Sequence, residues 1–286
     1  MDNTHTKDTG SIIGLALGKK VTGVCVLSPG NDMETLTSVP TAELSAFLEL
    51  MEEESGAPRE VVVDAPLGNT SSLNFRSFEQ VFLQGLFSNR HVGIQPNTPG
   101  GEGLKLGPLK KWLYNNRIEI SNEFPAQAGV ARETYPSLVL GLLLEPGALQ
   151  NHKNTLRFRY GRGKYLAPIS VAFDLLARDA ARGATGHPFF APVLGDKPPS
   201  WEWIEATSNT SFEEKASAQG DVLLSALTCA LVGLHDLNGQ GCALGDDEGH
   251  YLLPPLEHMH EGWKRELARL LKGPDFGKVR HPFAES

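Results

Sequence analysis

Cysteine is scarce in this chain. The three among 286 residues, Cys25, Cys229 and Cys242, lack the paired spacing that zinc sites and disulfide frameworks use. An odd, unpaired set excludes a disulfide scaffold, and Cys25 and Cys229 lie within apolar runs, where free thiols behave as small hydrophobes. A reducing, cytoplasmic setting is expected. The opening segment MDNTHTKDTG has no apolar centre, and no apolar stretch reaches the roughly 20 residues of a spanning helix, so neither secretion nor membrane insertion is expected. Basic residues are also in deficit, 26 against 34 acidic, and the net charge of -8 repels polyanions over the surface as a whole. Two local basic groups interrupt this: Lys105, Lys110 and Lys111, and the stretch from Lys153 through Arg157, Arg159 and Arg162 to Lys164. Each reads as a solvated face or as a phosphate contact. His250, His258 and His260 fit no zinc spacing and are expected at the surface.

What is present is a chain that is 40% hydrophobic and able to bury a substantial core. Ile12 to Leu17 and Val21 to Leu27 are short β-rich runs joined through a turn edged by Gly18 and Gly23, a hairpin pattern that Met33 to Val39 extends. Thr41 is placed to cap a helix in which Leu44, Phe47, Leu48 and Met51 recur at helical spacing, ended by Gly56 and Pro58. EVVVDAPLG is an apolar β-branched run that stops at Asp64, as a central strand opening onto a crevice does. Arg76 to Leu86 and Leu106 to Asn116 are helical patterns on either side of the loop PNTPGGEG. ARETYPSLVL is a strand ending near Glu133 and Thr134, with Pro136 in the first turn of the next helix. A helix is expected near Ile169 to Ala181. The helix beginning at Asp221 and running to Leu237, before Gly239, is the clearest in the chain and should pack on the sheet. The tail combines a loop and strand in GDDEGHYLLPP with an amphipathic helix over about Leu256 to Leu271. The organisation expected is one domain over residues 11-255 with insertions at about 69-129 and 146-217, then a C-terminal helix and tail at 256-286.

A strand hairpin, a helix, a strand ending in an acid, a second strand ending in an acid and a late helix starting with an acid form the order of an RNase H-like mixed sheet flanked by helices. IIGLALGKKVTG, VVVDAPLG, FRSFEQ, ARETYPS and GDVLLSALTCAL with GDDEGHYLLPP together resemble the family of predicted RNase H-like nucleases catalogued as domain of unknown function 429. The likeness runs from about Ile12 to Pro255. It implies an α/β fold with a central, mostly helical insertion, and a site in which Asp64, Glu133 and Asp221 hold Mg²⁺ or Mn²⁺ for phosphodiester hydrolysis. Hard cations take oxygen ligands, and such ions activate water and stabilise the departing oxyanion. Arg76, with Glu79 on its helix face, and Lys153 are placed to steer phosphate.

Each acid also has a plain reading. Asp64 before Ala-Pro suits a turn, Glu133 could pair with Arg132 or Arg76, and Asp221 suits a helix N-terminus. The sequence departs from the family's pattern at Ala16, where relatives carry the first-strand Asp, and at Ser225, where relatives often carry another. Three functions remain open: a metal-dependent nuclease with a degenerate site, a catalytically dead module binding nucleic acid, nucleotide or protein, and a nucleotide-phosphate binder of the sugar-kinase branch using the GKKVTG turn with Lys19 or Lys20. GKKVTG lacks the spacing and the strand-loop-helix setting of a Walker loop.

Overall fold

The computed structural model describes residues 10-18, 20-28, 30, 32-65, 67, 106-121, 129-149, 168-183, 186-209, 218-246 and 249-270. Lys19, Arg76 and Lys153, the helix expected at Arg76 to Leu86 and the 153-164 basic stretch lie outside them.

A mixed six-stranded sheet forms the centre, in the order β3-β2-β1-β4-β6-β5. Its strands are β1 (Ile12–Ala16), β2 (Val21–Leu27), β3 (Met33–Pro40), β4 (Glu60–Val63), β5 (Glu119–Ile120) and β6 (Val130–Glu133). β1, β2 and β3 pair antiparallel as a meander, while β4 joins β1 in parallel and carries β6, also parallel. The fold is therefore α/β with the RNase H-like strand arrangement. The residue composition explains which strands lie inside: β1 and β4 are buried along their whole length, and β1 and the three valines of β4 read as continuous apolar runs, as strands covered on both faces do.

Alternation divides the sheet residues between two cores. Ile13, Leu15, Val61, Val63 and Ala131 face α1 (Leu44–Ser55) and α2 (Leu106–Asn115). Ile12, Ala16, Cys25 and Val62 face the other layer, built from α3 (Pro136–Leu142), α4 (Pro168–Gly183) and α7 (Ala218–Leu237). Between α4 and α7 lie the short α5 (Ala191–Leu194) and α6 (Trp201–Ser208), the latter capped by Ser200 Oγ accepting from the Trp203 N–H. Trp201 Nε1 donates to Asp174 Oδ1 at 2.8 Å and ties α6 to α4. After α7 come β7 (Cys242–Asp246) and β8 (Gly249–Leu253), a separate antiparallel pair attached to the main sheet through a Thr134 bridge to Leu252.

Four expectations change. Thr41 does not cap α1: its hydroxyl donates to the Gly18 carbonyl at 2.8 Å and lies 3.0 Å from Thr22 Oγ1, pinning the hairpin turn, while α1 starts after Glu43. The tail helix is interrupted, with a 3-10 turn at Leu256–His258 and α8 only from Glu261–Leu270. His250 is buried in β8 and His258 is half-buried, so neither is a plain surface residue. The 19 residues Gln219–Leu237 are long and apolar enough to cross a membrane, against the expectation, and 83% of that window is buried inside the protein, which makes α7 the core helix of the domain.

Candidate functional site

The carboxyl ends of β1, β4 and β6 meet the amino-terminal half of α7, and here the three candidate acids are found. Leu15 is in register with Val63, and the Asp64 N–H donates to the Leu15 carbonyl at 2.8 Å, so the ladder continues one residue past β4. Asp64 is thus the neighbour of Ala16 across the pair and follows Val62 in facing α7. Ala16 is only 2% exposed. The nearby α7 group is Cys229, whose thiol reaches the Leu15 carbonyl at 3.6 Å. Burial, then the Asp64 charge, pushes that thiol far above its ordinary range. As a residue Asp64 is partly buried, but its carboxyl is enclosed, and desolvation raises it to about 7.

Glu133 is one step out of phase. It pairs with Val63, not with Asp64, and its side chain belongs to the opposite face of the sheet, where Oε1 accepts from the Leu67 N–H at 2.6 Å. The plain reading that paired it with Arg132 also falls to alternation, since successive strand residues point to opposite faces. Arg132 reaches the α7 side instead, with Nη1 at 2.8 Å from Asp236 Oδ2 and Nε at 3.7 Å from Glu60 Oε1, every partner being buried.

Asp221 sits in the first turn of α7 and accepts a hydrogen bond from Ser170 Oγ of α4. Burial raises its carboxyl and the Ser170 hydrogen bond partly offsets this. Asp221 precedes Val222, whose carbonyl lies against Gly23, the strand partner of Ala16. Ser225, buried, occupies the turn between Asp221 and Cys229.

A shared Mg²⁺ or Mn²⁺ requires carboxylate oxygens converging to about 2.0 to 2.6 Å from one ion. Ala16 offers no donor, Glu133 points through the sheet and is committed to a backbone N–H, and the group beside Asp64 is a protonated thiol. Among the described residues no three His, Cys, Asp or Glu side chains are grouped as metal ligands. At the GKKVTG turn the Gly18 carbonyl accepts from the Thr41 hydroxyl and the Lys20 carbonyl from the Thr41 N–H.

No family model matches the sequence, and no curated protein matches it. Among solved structures, a protein described as a candidate sugar kinase from Cytophaga hutchinsonii aligns over 80% of this chain and 80% of its own, at 14% identity and a TM-score of 0.25. The fold class rests on the strand order and pairing above.

Sequence reasoning missed Cys229, Ser170 and the Glu60, Arg132 and Asp236 group. Their signal existed only as polar residues in buried strands and helices, such as Arg132 after Val130 and Ala131, which needs a buried counter-charge to be tolerated.

Proposed function

We propose that the chain is an RNase H-like homologue without a hydrolytic metal centre, acting by binding. The observation that carries this reading is the pairing of Ala16 with Asp64 under Cys229: where two-metal hydrolysis needs carboxylates side by side, this crevice holds a methyl group, a thiol and one carboxyl raised to about 7 by desolvation. The net charge of -8 disfavours a polyanionic ligand, so the partner class favoured is a protein. The resemblance to the predicted nuclease family then describes ancestry of the frame, and fold alone does not transmit the activity.

The test compares the wild type with Ala16→Asp and with Ala16→Asp combined with Ser225→Asp. Melting temperature is followed with and without Mn²⁺, beside cleavage of labelled single-stranded, double-stranded and hybrid oligonucleotides. The wild type should cleave nothing and gain no metal-linked stability. Without metal, Ala16→Asp should melt several degrees lower, roughly 4 to 8 °C per kcal/mol in a small domain and less in one of this size, because a second carboxylate is placed beside Asp64 in a desolvated site. Mn²⁺ should restore part of that loss in the double variant. Mg²⁺- or Mn²⁺-dependent cleavage by the wild type, abolished in Asp64→Asn, would overturn the proposal, and salt-dependent oligonucleotide binding would replace the protein partner with a nucleic acid.

A further inference from the structure

Three histidines outside this crevice come together where the C-terminal segment meets the body of the protein. His187 precedes the 3-10 turn Pro188–Phe190, His235 lies in the last turn of α7, and His258 ends the 3-10 turn Leu256–His258. The His235 ring is buried, stacks on Phe189 with centroids 5.4 Å apart, and meets the His258 ring edge to face at 5.0 Å. His258 also acts electrostatically on His187.

The hydrogen bonds define what each ring can hold. His235 Nε2 is 3.2 Å from the Phe189 carbonyl oxygen, which only accepts, so Nε2 carries a proton. Nδ1 lies 3.0 Å from the Gln240 side-chain amide, which fixes the ring in place. His187 Nδ1 accepts from the Phe189 N–H at 3.2 Å, a bond that an imidazolium cannot make. His258 Nδ1 is buried with no hydrogen-bond partner among the described residues, so a proton there has no acceptor.

Glu145 and Asp179 line the same cavity as His187 and His260, yet burial outweighs them at His187. Burial and then His258 hold His187 down to about 4. Burial and His235 pull His258 down, Lys264 of α8 adds to the effect, and only Glu257 opposes it. Asp236, next to His235, is committed to Arg132, and His260 is exposed with Nδ1 accepting from the Gly262 N–H.

We propose that His187 and His258, packed about the His235 ring, form an acid-sensitive latch that holds segment 256-270 on the body of the protein while these two rings are neutral and releases it when they charge. A proton on His187 breaks its bond from Phe189, and a proton on His258 Nδ1 is buried with no acceptor among the described residues. The remaining anchors of the segment do not titrate: Trp263 Nε1 donates to the Leu144 carbonyl at 2.8 Å, the His260 N–H donates to Leu142 at 3.0 Å, and Met259 and Leu267 are buried. They set the baseline hold, and the histidines set the pH at which it fails. Release uncovers Trp263 and the ledge at Leu142 to Leu144.

Hydrogen exchange of the full chain, corrected for intrinsic rates, tests this at about pH 7 and about pH 5, the range in which His charge changes. Protection of segment 256-270 should fall roughly tenfold or more relative to β1 and β4 on acidification, as a local opening rather than global unfolding. His258→Phe keeps a ring and removes the titrating nitrogens, and His187→Gln removes the second charge; each should retain protection at the lower pH. No differential fall in the wild type, or an equal fall in His187→Gln, overturns the latch. Should His258→Phe fail to fold, His187→Gln decides alone.

Discussion

Asp64 shows how a single residue type acquires its role from position. An Asp at a strand tip reads equally well as a metal ligand, a turn former or a buried acid, and the register that sets it beside Ala16 and under Cys229 selects the third. Its carboxyl, ordinarily near 3.8, is raised to about 7, so the folded state holds a proton that the unfolded chain gives up. The stability tied to that proton is fully present below about pH 3.8 and is lost as the pH rises through about 7. The loss is up to about 4 kcal/mol, less whatever solvent screens at the residue's partly open edge. Asp64→Asn removes the titration while keeping the shape. Urea denaturation at about pH 4 and about pH 8 should show the variant gaining on the wild type by a few kcal/mol at the higher pH. An unchanged difference between the two pH values would mean that Asp64 is ionised and solvated.

Among the elements, α7 is the one on which the molecule is organised. It lies antiparallel to β1, with Val222 over Gly23 at one end and Gly233 over Ile12 and Val62 at the other. Close approach demands small residues on both sides, and Gly14 and Gly23 face Ala226, Ala230 and the α7 backbone for that reason. A Cβ at Gly14 would collide with the Ala226 carbonyl oxygen and the Ala230 N–H, and neither is a flexible side-chain end that can move aside. Gly14→Ala should therefore push α7 off the sheet and cost about 1 to 3 kcal/mol or more, as overpacking does. Thermal unfolding measures it, and Gly107→Ala, where nothing lies within 4 Å of the added methyl, serves as the control that should change little.

Across the whole molecule, the sheet and α7 are also joined by a buried charge group. Arg132 of β6 bridges Asp236 of α7 and Glu60 of β4, and two carboxyls share one guanidinium. Burial and then the Asp236 charge push the Glu60 carboxyl well above its ordinary range, with Arg132 and Arg59 opposing, which favours its neutral form. Glu60→Gln should accordingly be nearly silent near neutral pH. Arg132→Met strips Asp236 of its counter-charge and should cost about 3 to 5 kcal/mol, the range for breaking a buried pair from one side. Equilibrium unfolding of both variants checks the pair of outcomes, and an Arg132→Met protein as stable as the wild type would show that the group is dispensable.

Much of the frame was legible from pattern alone. The β1 to β2 hairpin, the β4 run ending at Asp64, the strand ending at Glu133 and the α7 helix all appear where periodicity and breaker residues put them, because each is an apolar stretch whose period matches its structure. The absence of a first-strand acid at Ala16 is likewise a fact of the sequence. Tertiary structure alone decided how the acids relate. A one-residue offset between β4 and β6 sends Glu133 through the sheet to Leu67 and turns Arg132 toward Asp236, and no linear pattern records that offset. The same holds for the meeting of His187, His235 and His258, which lie up to 71 positions apart (258 minus 187) and are joined only when the tail folds back over the end of α7. Periodicity reports which face of its own element a residue occupies, whereas contacts between elements depend on how those elements pack.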